Sequence, residues 1–170
     1  MSLTSDATEP TAAHVSDHGP GVRFPPTVAF GAGFLAALGL HLFEPLRFLT
    51  GRNVSALALL GWLFVVAGVG LFLWSLRVFF LARTGILLQK PATALMRQGP
   101  YAWSRNPQYV AFVAIYVGAA LVTNTVWPLL LLAPVLAVVV HTVIRREERY
   151  LHRMFGSEYI AYCRDVGRWL

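Results

Sequence analysis

The residues best equipped for chemistry fall in two stretches far apart in the chain. Residues 99–109 read Gly-Pro-Tyr-Ala-Trp-Ser-Arg-Asn-Pro-Gln-Tyr and lie between two long apolar runs. Gly99-Pro100 signals a turn, because glycine tolerates unusual φ and proline fixes its own. Asn106-Pro107 has the pattern of an N-cap followed by a first helical residue. The stretch is therefore expected to close a loop and open a helix whose free N–H groups attract a carboxylate or phosphate. In the second stretch, residues 141–162, His141, Arg145 and Glu148 are spaced i, i+4, i+7 and share one helix face. Glu147 lies about 100° round from Glu148. A cation bearing an amino group would be well matched by either carboxylate and a ring of tyrosines. Plainer readings fit the same residues. Arg145, Arg146, Glu147, Glu148 and Arg149 could be a solvated, self-paired helix surface. Arg105 could anchor to lipid phosphate, and Tyr101, Trp103 and Tyr109 could form an interfacial aromatic belt.

The elements that must position these groups are membrane spans. Of 170 residues, 56% are hydrophobic and only 13% charged, against about a quarter charged in soluble domains. With long apolar runs, this predicts an integral membrane protein, all-α. The net charge of +6 does not indicate nucleic acid, because the basic residues cluster beside the apolar runs, where topology places them. Residues 1–23 read as a disordered tail, and His14 and His18 within it as incidental. Residues 24–170 form a single domain, with spans expected at 27–43, 54–81, 107–122 and 126–144.

The first span covers roughly 25 Å and carries Gly31, Gly33, Ala36, Ala37 and Gly39 as a close-packing face. Gly61, Ala67, Gly68 and Gly70 do the same in the second, where packing is a better reading of Gly68-Val69-Gly70 than a cofactor loop. Trp127 fits an interfacial anchor, and Pro134 should kink the fourth span. Lys90, Arg97 and Arg105, in a loop without acids, put that loop in the cytoplasm. The expected topology is four transmembrane helices in the inner (cytoplasmic) membrane with both termini cytoplasmic. A cytoplasmic helical tail, 145–170, breaks at Gly156 and restarts at Ser157. Cys163, the one cysteine, permits no internal disulfide and reads as packing. There is no strand–Gly-rich turn–helix unit for a Rossmann domain, and no Cys/His cluster has zinc spacing.

Gly99-Pro100-Tyr101, Arg105-Asn106-Pro107 and Tyr109 resemble the signature of the isoprenylcysteine carboxyl methyltransferase family and its bacterial relatives. So do Arg146-Glu147-Glu148-Arg149-Tyr150-Leu151, Phe155-Gly156, Tyr159 and Tyr162. Arg83-Thr84-Gly85, Lys90-Pro91 and the ending Arg168-Trp169-Leu170 look like the bacterial form. Asn106 stands where the eukaryotic enzymes have histidine, and Gly167 where proline or arginine is common. The resemblance implies an integral membrane methyltransferase using S-adenosylmethionine without a Rossmann domain. It implies cofactor contacts from Tyr101, Arg105, Asn106, Pro107, Tyr109, Glu147, Glu148, Tyr159 and Tyr162. Arg105 and Glu148 would also serve catalysis, with His141 on the acceptor side. The acceptor is expected to be a membrane lipid or other lipophilic molecule methylated on a carboxylate, thiol or amine. A phospholipid N-methyltransferase acting on phosphatidylethanolamine is the nearest alternative. A sterol-type membrane reductase and a non-catalytic membrane partner are the others.

Overall fold

The structure, a computed structural model, describes residues 25–51, 53–81 and 94–170. The tail with His14 and His18, and the segment holding Arg83, Thr84-Gly85 and Lys90-Pro91, lie outside the described residues. The described chain is helical, with no strand. Its elements are α1 (Pro26–Phe43), α2 (Val54–Leu81), a 3₁₀ turn (Gly99–Ala102), α3 (Pro107–Val122), α4 (Trp127–Val139), a π-helical turn (Val140–Ile144) and α5 (Arg145–Asp165). Three helices are long and apolar enough to cross a membrane: α1, α2, and the continuous run from Trp127 to Asp165. The protein is thus a multi-pass membrane protein. α3, with 16 residues, is apolar but shorter.

Composition explains where the helices begin. Pro26 and Pro107 each stand at a first helical position, where the missing N–H removes no bond. α2 has 28 residues, about 42 Å of helix, more than a hydrocarbon core needs. Its outward side exposes Leu59, Leu63, Val66 and Leu73, as a lipid-facing surface should. Its other side packs on α3 so closely that the backbones nearly touch. A Cβ on Gly61 would lie 2.7 Å from the Gly118 carbonyl oxygen, and one on Gly118 2.6 Å from that of Gly61. Gly68 meets the Ala111 carbonyl in the same way, while Gly70 faces open space. In α1, Gly33 packs against Val135 and Tyr116 and Ala37 is fully buried, but Gly31 and Gly39 are open. The small-residue faces expected of both helices are therefore narrower than drawn from sequence.

α1 lies against α4, and α3 joins that pair to α2. Phe30, Tyr116, Val135 and Val139 are buried where α1, α3 and α4 meet. At the end remote from the charged stretch, the loop after α1 is tied to the turn between α3 and α4. The Asn124 side chain accepts from Leu49 N–H and donates to its carbonyl, and Trp127 Nε1 donates to the Glu44 carbonyl. Trp127, expected as a lipid anchor, thus also closes this loop.

The fourth apolar run departs from expectation at its end. Pro134 stays inside α4, and the helix widens into a π turn six residues later. A π turn takes in an extra residue and turns the following side chains relative to an uninterrupted helix. Gly156, with φ +47° and ψ −121°, breaks α5 where the sequence places a stop. After Asp165 the chain turns back, and the Gly167 carbonyl accepts from Arg105 N–H.

Candidate active site

The two chemistry-bearing stretches meet. The 3₁₀ turn and the start of α3 pack against α5, enclosing a cavity of about 340 Å³. Tyr101, Arg105, Asn106, Pro107 and Tyr109 line it from one side, and Glu147, Glu148, Tyr159 and Tyr162 from the other. All nine residues expected at a cofactor thus border one space. Pro25 to Thr27 at the start of α1, and Phe72, Leu76, Phe79 and Phe112 from α2 and α3, give it an apolar wall. Sequence reasoning did not anticipate that wall. These side chains are ordinary span residues, and only the α2–α3 approach shows which ones turn inward.

Gly99 begins the first side with φ +60°, a conformation that suits glycine, against Trp74 and Val78. Tyr162 Oη donates to the Tyr101 carbonyl at 2.7 Å, tying the 3₁₀ turn to the far half of α5. Arg97 lies over the Tyr162 ring, 5.5 Å from its centre, and donates to the Glu158 carbonyl. Asn106 differs from expectation. It stands at the N-cap of α3, but its side chain makes no capping bond. Its Nδ2 donates to the Arg168 carbonyl at 3.0 Å, while Ser104 Oγ accepts from its backbone N–H. A cap is inferred from neighbours in sequence; this asparagine instead serves the returning tail.

The two glutamates are held differently. Glu148 is gripped by Arg168, at 2.8 and 2.9 Å, with Arg105 Nη1 at 3.4 Å. That fork matches a carboxylate with two parallel donors, and it raises the Arg168 pKa. Glu147 is met by the Tyr109 hydroxyl at 3.2 Å. Burial pushes its carboxyl up to about 7, the tyrosine bond opposes that, and the Glu148 charge adds to it. Burial also pushes the Tyr162 phenol up to about 12, against the pull of Arg105, and raises Tyr101 and Tyr159. The tyrosines therefore stay protonated, as donors or ring surfaces.

Arg105 is the junction. Its Nη1 donates to Cys163 Sγ at 2.9 Å and reaches Glu148, while its buried Nε has no partner among the described residues. Cys163, expected only to pack, also steers this guanidinium. Arg168 was missed as a contributor. It lies 20 residues beyond Glu148, and only the break at Gly156 and the turn after Asp165 bring it back.

His141 is not in this cavity. It lines a neighbouring, more open basin of about 530 Å³, for which Arg105, Glu148 and Tyr159 form the shared wall. Its Nδ1 lies 3.2 Å from Arg145 Nη1. The expected face of His141, Arg145 and Glu148 exists, but it looks into the basin.

A cavity of this size is in the range of small-molecule sites. It combines the Glu147 carboxylate, held by the Tyr109 hydroxyl, with an arginine that has a donor to spare and with aromatic rings, a set suited to an amino-acid-like ligand. The family model for phospholipid methyltransferases matches residues 52–158, more than half of the chain. The chain belongs to the phospholipid methyltransferase family. It is also 37% identical over 73 residues to the protein-S-isoprenylcysteine O-methyltransferase of Saccharomyces cerevisiae. That match takes in 43% of this chain and 30% of the yeast protein. The family suggested by the residues at 99–109 and 146–162 is thereby met.

Proposed function

We propose that this protein is an integral membrane methyltransferase that carries a methyl group from S-adenosylmethionine to a lipophilic acceptor arriving from the bilayer. The observation that carries the reading is the joint lining of one cavity by two remote segments, with Glu147 and Arg105 each holding unspent polar capacity there. The donor fits these residues. Glu147 would take its ammonium, and Arg105, beside the start of α3, its carboxylate. Tyr101, Tyr109, Tyr159 and Tyr162 would pack its adenine or face its cationic sulfur. Asn106 and Pro107 would shape the near edge.

S-adenosylmethionine supplies a methyl group already activated on a sulfonium. The protein's part is alignment at near-attack distance and exclusion of water. Glu148, held by Arg168 and Arg105, acts as a positioning residue that fixes the Arg105 guanidinium. The apolar wall from α1, α2 and α3 would admit the acceptor's hydrocarbon. His141 lies across the shared wall, so a role in taking a proton at the reacting atom has no support from its position. For a carboxylate acceptor no proton need leave; for an amine acceptor one must.

The matching family model supports a second reading of the acceptor, a phospholipid amine such as phosphatidylethanolamine, beside the prenylated cysteine carboxylate that the yeast relative's name supports. Mass spectrometry of methylated lipid extracts separates the two. In either case the proposed topology has four crossings, with α3 as a short one. Arg97, Arg105 and the arginines of α5 would lie on the cytoplasmic side of the inner membrane.

Titration with S-adenosylhomocysteine tests the donor site. Binding is expected, and Glu147→Gln should weaken it by about 2 kcal/mol, the scale of a lost charged hydrogen bond. Binding of NADPH in its place, or of neither ligand, would overturn the assignment.

A further inference from the structure

The basin beyond Glu148 is a built electrostatic feature that methyl transfer leaves unexplained. His141, Arg145, Arg149 and His152 form its outer side, and Arg168 with the shared Arg105 its inner side. Four guanidiniums thus face one carboxylate, Glu148. Arg168 and Arg105 are ion-paired to it, whereas Arg145 and Arg149 have no carboxylate partner among the described residues. Arg149 Nε donates to the Arg145 backbone carbonyl, which folds the Arg149 side chain back along the helix. An arginine has no acceptor. His141 Nδ1, 3.2 Å from Arg145, must therefore be the acceptor of that bond. Around one hollow the chain gathers four guanidiniums against a single carboxylate, and that carboxylate is taken by Arg168 and Arg105.

Position identifies the complement. His141 lies in the π turn at the end of an apolar run, and Arg145 and Arg149 open the charged helix that continues it. This boundary between apolar and charged sequence is the depth at which lipid phosphates sit, and the three side chains are exposed there. We infer that the basin binds the headgroup phosphate of an anionic phospholipid, at a site separate from the methyl-transfer cavity and sharing with it the wall of Arg105, Glu148 and Tyr159. The occupant is a lipid and not free phosphate, because the basin opens at the bilayer surface, where acyl chains would lie against α4.

Native mass spectrometry of the delipidated full-length protein tests this, with phosphatidylglycerol, phosphatidylcholine and inorganic phosphate titrated in separate arms. Phosphatidylglycerol is expected to bind more tightly than phosphatidylcholine. Arg145→Gln and Arg149→Gln should each weaken it about fivefold, the scale of one basic residue at an anionic surface. Arg153→Gln removes the same charge from an exposed position of α5 that does not line the basin, and should change it little. S-adenosylhomocysteine binding by the same samples reports that the variants are folded and that the transfer cavity is intact. Equal binding of the two lipids, equal effects of all three substitutions, or binding of inorganic phosphate alone would each overturn the inference.

Discussion

Two adjacent glutamates have opposite situations here. Glu148 has its charge matched by Arg168 and Arg105, whereas Glu147 is half-buried and hydrogen-bonded by the Tyr109 phenol. The Glu147 carboxyl, pushed up to about 7 by burial, is therefore partly protonated near neutrality. The donor's ammonium would bind the ionised form, so proton loss must accompany binding below that value. The sign follows: affinity falls as pH falls through 7 and levels off above it. S-adenosylhomocysteine should bind about tenfold more weakly at pH 6 than at pH 8, as the ionised fraction of a carboxyl titrating near 7 rises from about a tenth to about nine tenths. Isothermal titration at several pH values measures this. Glu147→Gln should flatten the dependence. Tyr109→Phe, which removes the bond that lowers the Glu147 pKa, should move the midpoint upward. Dependence that survives Glu147→Gln would place the linked proton elsewhere.

At the scale of elements, the cavity exists because α2 and α3 approach to backbone distance. Gly61 and Gly118 face each other with no room for a side chain on either. Gly61→Val should cost about 1–3 kcal/mol of stability through overpacking, seen as a lower thermal midpoint in detergent. Gly70→Ala, in open space on the same helix, should be neutral or slightly stabilising, because it relieves the entropy cost of glycine in a helix. This pair also shows what the sequence made legible. Apolar length marked out α1, α2 and α3 as helices, with prolines fixing the starts of α1 and α3. Which glycines pack could not be read, because Gly68 and Gly70 look alike until a partner helix takes one side. The π turn was equally hidden. Pro134 is a visible helix disturber, but Val140 to Ile144 carry no residue that announces a widened turn, and that turn sets the directions of Glu147 and Glu148.

At the scale of the whole molecule, the site depends on the last few residues returning to the loop before α3. That nine residues would gather at one cavity was legible because the family pattern they resemble is made of compact local stretches. Their support was not, because it is made by chain reversal. The Gly167 carbonyl holds Arg105 N–H, the Arg168 carbonyl holds Asn106, and the Arg168 guanidinium holds Glu148. The Asn106 bond crosses 62 residues of chain and the Glu148 bond 20, and all three converge on the residues proposed to orient the donor. The membrane helices draw little on this segment: the core of α1, α3 and α4 is built by residues such as Phe30 and Tyr116, and of the returning residues Trp169 packs against it. Deletion of residues 167–170 should therefore leave helical circular dichroism and membrane insertion largely intact, with a lower thermal midpoint from the lost Trp169 packing. S-adenosylhomocysteine affinity should fall about tenfold or more, as Arg105 and Glu148 lose their fixed geometry. Arg168→Lys should be intermediate, because an ammonium keeps the charge but not the two-pronged grip on Glu148. If the truncated protein bound the ligand as tightly as the full chain, the tail would be a bystander. Arg105 would then be oriented by Cys163 and Glu148 alone.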